Sequence, residues 1–143
     1  MINIAPMQLA DYDEAIALWK ATEGITIDAS DSREEIEEYL LRNPGLSFVA
    51  RHNGTLVGAV LGGHDGRRGY LHHLAVAPPY RGKGTGRRLA ENVLAGLKQI
   101  GILKCHLFVH ADNFKAIKFW KYVGWSRRDD IVMFTKSTGY RPK

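Results

Sequence analysis

The sequence predicts a mixed α/β (α+β) fold, with a mostly antiparallel central sheet, one parallel strand pair and helices on both faces. Three observations carry that expectation. Stretches with period-two and period-three-to-four apolar patterns interleave along the chain. Asn53-Gly54 sits between two apolar runs, the strongest short signal for a hairpin. Residues 70–109 read strand, long amphipathic helix, strand, the order of a parallel pair joined by a right-handed crossover.

The elements follow in order. Ile2–Met7 alternates and reads as a first strand. In Asp11–Ala21, Tyr12, Ala15, Ile16 and Trp19 recur at helical spacing. Ser32 followed by Glu35 forms a capping box that opens a helix to about Leu41, and Asn43-Pro44-Gly45 ends it. Leu46–Arg51 and Leu56–Gly63 are the hairpin strands, Asp65-Gly66 begins the next turn, and Tyr70–Val76 is a strand. From Gly84 to Ile100 the pattern is helical, with Leu89, Val93, Leu97 and Ile100 as its stripe and Gly101 as its stop. Lys104–Val109 reads as a strand, Asn113–Val123 as a helix ended by Gly124, and Ile131–Thr135 as a closing strand.

The 143 residues are enough for one well-packed domain, read as 1–143, and short for two. Hydrophobic residues at 45% and charged residues at 24% belong to a soluble globular chain. The longest apolar run, Leu56–Gly63, is far below a membrane span, and Asp11, Asp13 and Glu14 interrupt any signal-peptide pattern. Cys105 is the single cysteine, so no intrachain disulfide forms and a cytoplasmic setting is expected. The net charge of +5 is gathered at 67–68, 81–88 and 115–128, which favours a local anion site over a nucleic-acid surface.

Arg81-Gly82-Lys83-Gly84-Thr85-Gly86 holds the densest information. It follows a strand and the Pro78-Pro79 break and enters a helix. Glycines allow close backbone approach, and a helix N-terminus presents unpaired N–H groups with partial positive charge. With Arg81, Lys83 and Arg87, the loop suits a diphosphate. No window fits Gly-x4-Gly-Lys-Ser/Thr, and a Gly-x-Gly-x-x-Gly fingerprint fails because Arg87 or Leu89 stands at its last position.

These residues resemble the acetyl-CoA loop of the GNAT superfamily of N-acetyltransferases, Arg/Gln-x-x-Gly-x-Gly/Ala. Leu74-Ala75-Val76, then proline and Tyr80, resembles the strand that precedes that loop. Asn113-x-x-Ala116-x-x-Phe119-Trp120-x-x-x-Gly124-Trp125 is similar to the family's Asn-x-x-Ala-x-x-Phe-Tyr-x-x-x-Gly-Phe box. The stretch from Gly62 to Gly69 also resembles the small bacterial YpeA-type members. The resemblance implies an acetyl-CoA-dependent N-acetyltransferase that acts on a primary amine in a ternary complex, with no metal, nucleic acid or membrane partner. It leaves a homodimer open, since dimers are common in the family. It implies that the backbone of 82–87 holds the pyrophosphate. Leu74, Ala75 and Val76 would meet the pantetheine arm like an added strand, between two parallel strands that splay apart. Asn113, Ala116, Phe119 and Trp120 would shape the cofactor wall. Read by itself, Asn113 is equally a helix N-cap.

The chain departs from the family in its acid–base groups. Trp120 stands where the family often has a proton-donating tyrosine, and Tyr122 lies about 200° further round the helix. That departure keeps a second reading alive, a non-catalytic acyl-CoA-binding or sensing module of the same fold. No glutamate occurs on the strand before the loop. His72 and His73 take its place as candidate bases, one expected on each sheet face by strand alternation, and His110 with Asp112 forms a second candidate pair. Glu23, Asp28, Asp31 and the Glu34–Glu38 run are acidic groups that a cationic amine would meet, or simply solvated charges. Six histidines and one cysteine show no zinc-ligand spacing.

Overall fold

A computed structural model describes residues 1–139 of the chain; the expected domain range 1–143 extends past them, and residues 140–143 lie outside the described residues. Two compact units are present, one of Met1–His110 and one that begins at Ala111. The first holds β1 (Ile2–Pro6), α1 (Tyr12–Lys20), α2 (Arg33–Arg42), β2 (Phe48–His52), β3 (Thr55–His64), β4 (Gly69–Val76), α3 (Thr85–Gln99) and β5 (Cys105–His106). The second holds α4 (Phe114–Tyr122).

The strands form one five-stranded sheet in the order β1-β2-β3-β4-β5. The first three pairings are antiparallel, and β4 runs parallel to β5. Asn53 and Gly54 both take positive φ, 50° and 82°, as a two-residue hairpin turn with the twist of its strands requires. The next turn is fixed by Asp65, whose Oδ1 accepts from the backbone N–H groups of Arg67 and Arg68 at 2.8 Å each.

Adjacent strand residues point to opposite faces, and two neighbouring glycines show what covers each. A Cβ on Gly63 would meet Tyr39 and Asn43 at the C-terminal end of α2, whereas one on Gly62 would lie 2.7 Å from Val93 Cγ1 of α3. The α1/α2 face buries Ala15, Trp19 and Ile36 against Val49, Ala59, Leu61 and Ala75. On the other face α3 buries Leu89, Val93 and Leu97, three of the four expected stripe residues. Ile100 is instead half exposed at the helix's C-terminal cap, and Ile102 beyond Gly101 is the buried residue.

Two expectations need correction. Of Lys104–Val109, only Cys105–His106 pairs as strand. Ile131–Thr135 forms no strand, and Val132 and Phe134 are 82% and 92% exposed. An alternating pattern becomes a strand only where a partner supplies a hydrogen-bonded ladder and a surface to pack on, and no described strand pairs with this segment. Among the described residues, no helix is long and apolar enough to cross a membrane.

Candidate active site

The glycine loop takes its shape from backbone conformation. After β4 a 3-10 turn, Pro78–Tyr80, redirects the chain, and Gly82 and Gly84 follow with φ of 75° and 85°. A Cβ on either would find no atom within 4 Å, so handedness rather than crowding calls for glycine. Gly84 is the N-cap of α3, and Thr85 is buried beneath it. The first N–H groups of α3 have no acceptor within the helix, and they sit at its positive end. Gly82, Lys83 and Gly84 are exposed, which leaves the loop backbone open to a close-fitting anion.

The basic side chains divide their work. Arg81 Nε donates to the Val76 carbonyl at 2.7 Å, tying the loop to the end of β4. Arg87 pairs with Glu91 one turn along α3 at 3.3 Å. Exposed backbone N–H groups, open space and flanking cations suit the residues of 81–87 to a pyrophosphate.

Strand β4 carries a bulge directly upstream. Ala59 pairs with Ala75 and Leu61 with His72, so Val60 alone faces both His73 and Leu74. His73 absorbs the extra residue with φ of 56°, rare outside glycine. This overturns the expectation of one histidine per face. His72 shares a face with its partner Leu61, which packs in the Trp19 cluster, and the His73 ring lies 5.2 Å from that of Trp19. Both histidines therefore look to the α1/α2 side.

Their settings differ. His73 Nε2 lies 2.8 Å from Asp31 Oδ1, and the Asp31 carboxyl is 5% exposed. Asp31 ends a short 3-10 turn and is itself held in place: its Oδ2 accepts from the Asp28 N–H at 3.2 Å, and its carbonyl accepts from Tyr12 Oη. An imidazole nitrogen facing a carboxylate carries the proton, which leaves Nδ1 of His73 as the acceptor. The exposed Asp28 carboxyl is held below its ordinary range, first by hydrogen bonds from Ser30 and further by the nearby His73. Burial pushes the His72 pKa down, His73 adds to that, and Asp31 opposes it.

The outer edge of β4 is open. Its pairing with β5 covers only Gly69 with Cys105 and Tyr70 with His106, so Leu71–Val76 meet no described strand on that side. Ala75 is buried, and Leu74 and Val76 are half-buried, so the strand offers backbone rather than side chains to anything laid along it.

The remaining sequence-derived residues separate. Asn113, Ala116, Phe119 and Trp120 belong to the second unit. There Asn113 Oδ1 accepts from Ala116 N at 3.2 Å, the predicted cap, and Trp120 packs edge-on to Phe119 and Trp125 at 5.0 and 5.1 Å between ring centres. Tyr122 is 82% exposed. His110 Nε2 lies 3.3 Å from Thr26 Oγ1. Burial pushes the Cys105 thiol up to about 11, which leaves it protonated and unreactive at neutral pH. In the sequence Asp31 reads as one of several acids that a cationic amine would meet or that are simply solvated, and its pairing with His73, 42 residues away, leaves no local signal.

An imidazole backed by a buried carboxylate, beside an open strand edge that leads into a loop suited to an anion, can take a proton from a nucleophile brought up to a phosphate-bearing donor. Comparison with known proteins identifies the family. The profile of the acetyltransferase (GNAT) family matches residues 12–125. An acetyltransferase of Yersinia pestis is 33% identical over 132 residues, 92% of this chain and 93% of the relative. One from Sodalis glossinidius is 32% identical over 88% of each chain. Among solved structures, the PaiA N-acetyltransferase of Thermoplasma acidophilum in complex with coenzyme A superposes with a TM-score of 0.78 at 23% identity, covering 90% of this chain and 92% of that one. The aminoglycoside acetyltransferase AAC(6')-Iy, bound to a bisubstrate analogue, gives 0.77 at 18% identity, covering 96% and 99%.

Proposed function

Because the chain belongs to the GNAT family of acetyltransferases, we propose that it is an N-acetyltransferase, a single domain that moves the acetyl group of acetyl-CoA directly to a primary amine in a ternary complex. The observation that carries this reading is the His73–Asp31 pair, set on the bulge of an open strand edge that runs into the 81–87 loop. Acetyl-CoA bound there supplies an activated acyl thioester.

The backbone of 82–87 holds the pyrophosphate, and Leu74, Ala75 and Val76 offer main-chain groups to the pantetheine arm. For Asn113, Ala116, Phe119 and Trp120 the cofactor role rests on the motif alone. An alkylamine arrives as an ammonium, since such groups titrate near 10.4. His73 Nδ1 takes its proton, and Asp31 holds the ring in the required tautomer and balances the imidazolium that forms. A backbone N–H of the Leu74–Val76 edge donates to the negative charge that develops on the acyl oxygen. A thiolate leaves readily enough, with a pKa near 8.5, that the absence of a tyrosine at position 120 does not bar turnover.

Changing His73 to Gln tests the assignment. It should lower kcat/KM about 10²- to 10⁴-fold, the usual worth of a positioned base, while acetyl-CoA binds unchanged by calorimetry. Unaltered turnover would remove His73 as base. Binding of acetyl-CoA with no thiol release from any amine would favour the sensing module over the enzyme.

A further inference from the structure

His72, beside the bulge, belongs to a ring surface that the proton transfer at His73 does not use. Tyr70 and His72 stand two residues apart on β4, and Phe108 follows β5. Their rings are close to parallel: 5° between Tyr70 and His72, 16° between Tyr70 and Phe108, and 21° between His72 and Phe108, with centres 6.2–6.4 Å apart. His106 leans against Tyr70 at 5.9 Å. Phe108 is 60% exposed, a phenyl ring held against other rings but left largely in water. A solvent-facing aromatic surface next to charged groups is suited to a ligand with an apolar body and a polar end.

The charge around the surface fixes the kind of polar end. His72 and His73 are consecutive, so the surface begins where the base ends. Near His73 stand the buried carboxylate of Asp31 and the exposed one of Asp28. Burial keeps His72 toward its neutral form, so it adds little positive charge to oppose a cation. The Thr26–His110 contact ties the acidic 24–31 loop to the chain just beyond Phe108. Carboxylates beside aromatic faces attract an organic cation, through charge at the ammonium and through the rings along its stem.

Resting on the acetyltransferase reading above, we propose that Tyr70, His72 and Phe108 form the acceptor surface and that the acceptor is an arylalkyl primary amine. Its ring lies on the three protein rings, its ammonium enters between Asp28 and His73, and a short alkyl stem joins the two.

The test uses phenethylamine as probe, with ethanolamine as a polar amine of the same charge. Calorimetric titration onto the protein without acetyl-CoA should show phenethylamine binding at least about tenfold more tightly, the order of one aromatic contact with its buried area. Phe108→Ala should abolish that preference and raise KM for phenethylamine, with KM for acetyl-CoA unchanged. Phe108→Tyr should retain the preference. Equal affinity for the two amines, or a preference that survives Phe108→Ala, overturns the proposal. The acetyltransferase reading fails by a different signature. Thiol release with ethanolamine alone sinks the aromatic acceptor and keeps the enzyme. Selective phenethylamine binding without thiol release from any amine keeps the surface and sinks the enzyme.

Discussion

His72 and His73 are neighbours in sequence with the same side chain, and one extra residue in β4 gives them separate surroundings. The bulge turns His73 to Asp31, where its ring gains an orienting carboxylate. His72 instead lies among rings, its pKa lowered by burial and then by His73. A histidine depressed below 6.5 in the folded state binds fewer protons there than in the unfolded chain. Its contribution to stability is therefore fully present above pH 6.5 and is lost as the pH falls through the folded value. Urea midpoints at pH 7.5 and pH 5 should accordingly drop on acidification, and the drop should shrink in His72→Phe, which keeps a ring in the site. An undiminished drop in that variant would assign the acid sensitivity to other groups. The sequence named both histidines without ranking them. The order depends on a bulge and on a partner 42 residues away, and neither leaves a mark in local patterning.

Elements were legible where their signals are local. The helix expected over Gly84–Ile100 is observed over Thr85–Gln99 with those two residues as its caps, and Asn53-Gly54 turns the hairpin it predicts. The closing strand at Ile131–Thr135 failed because a strand is a property of a pair, and alternation describes only one member. Glycine shows the same divide between local and distant causes. Gly84 is required by its φ, and a turn pattern reveals such a residue. Gly62 is required by crowding, since an added Cβ would run into the Leu46 carbonyl and lie 2.7 Å from Val93 Cγ1. Gly62→Ala should thus destabilise the fold by about 1–3 kcal/mol through overpacking, read as a lower melting temperature, with acetyl-CoA affinity unchanged in the folded protein. A melting temperature equal to that of the unaltered protein would mean that both the Leu46 backbone and α3 can give way at little cost.

At the scale of the whole molecule, the question is whether a chain of net charge +5 binds one particular anion or polyanions in general. The loop at 81–87 argues for the particular anion, because its open backbone and helix N-terminus are suited to a pyrophosphate by shape as well as by charge. A ligand that binds only the folded state stabilises it by RT ln(1 + [L]/Kd), about 2.7 kcal/mol at a hundred times Kd. For a protein of this length that corresponds to a rise in melting temperature of roughly 8 °C. Acetyl-CoA should produce such a rise, and Gly84→Val should remove most of it, because a β-branched residue resists φ near 85°. A DNA duplex at the same phosphate concentration should produce little, and what it produces should vanish in moderate salt as counterion release predicts. If DNA matched acetyl-CoA and Gly84→Val left both shifts intact, the basic surface rather than the loop would be the anion site, and the donor assignment would fall with it.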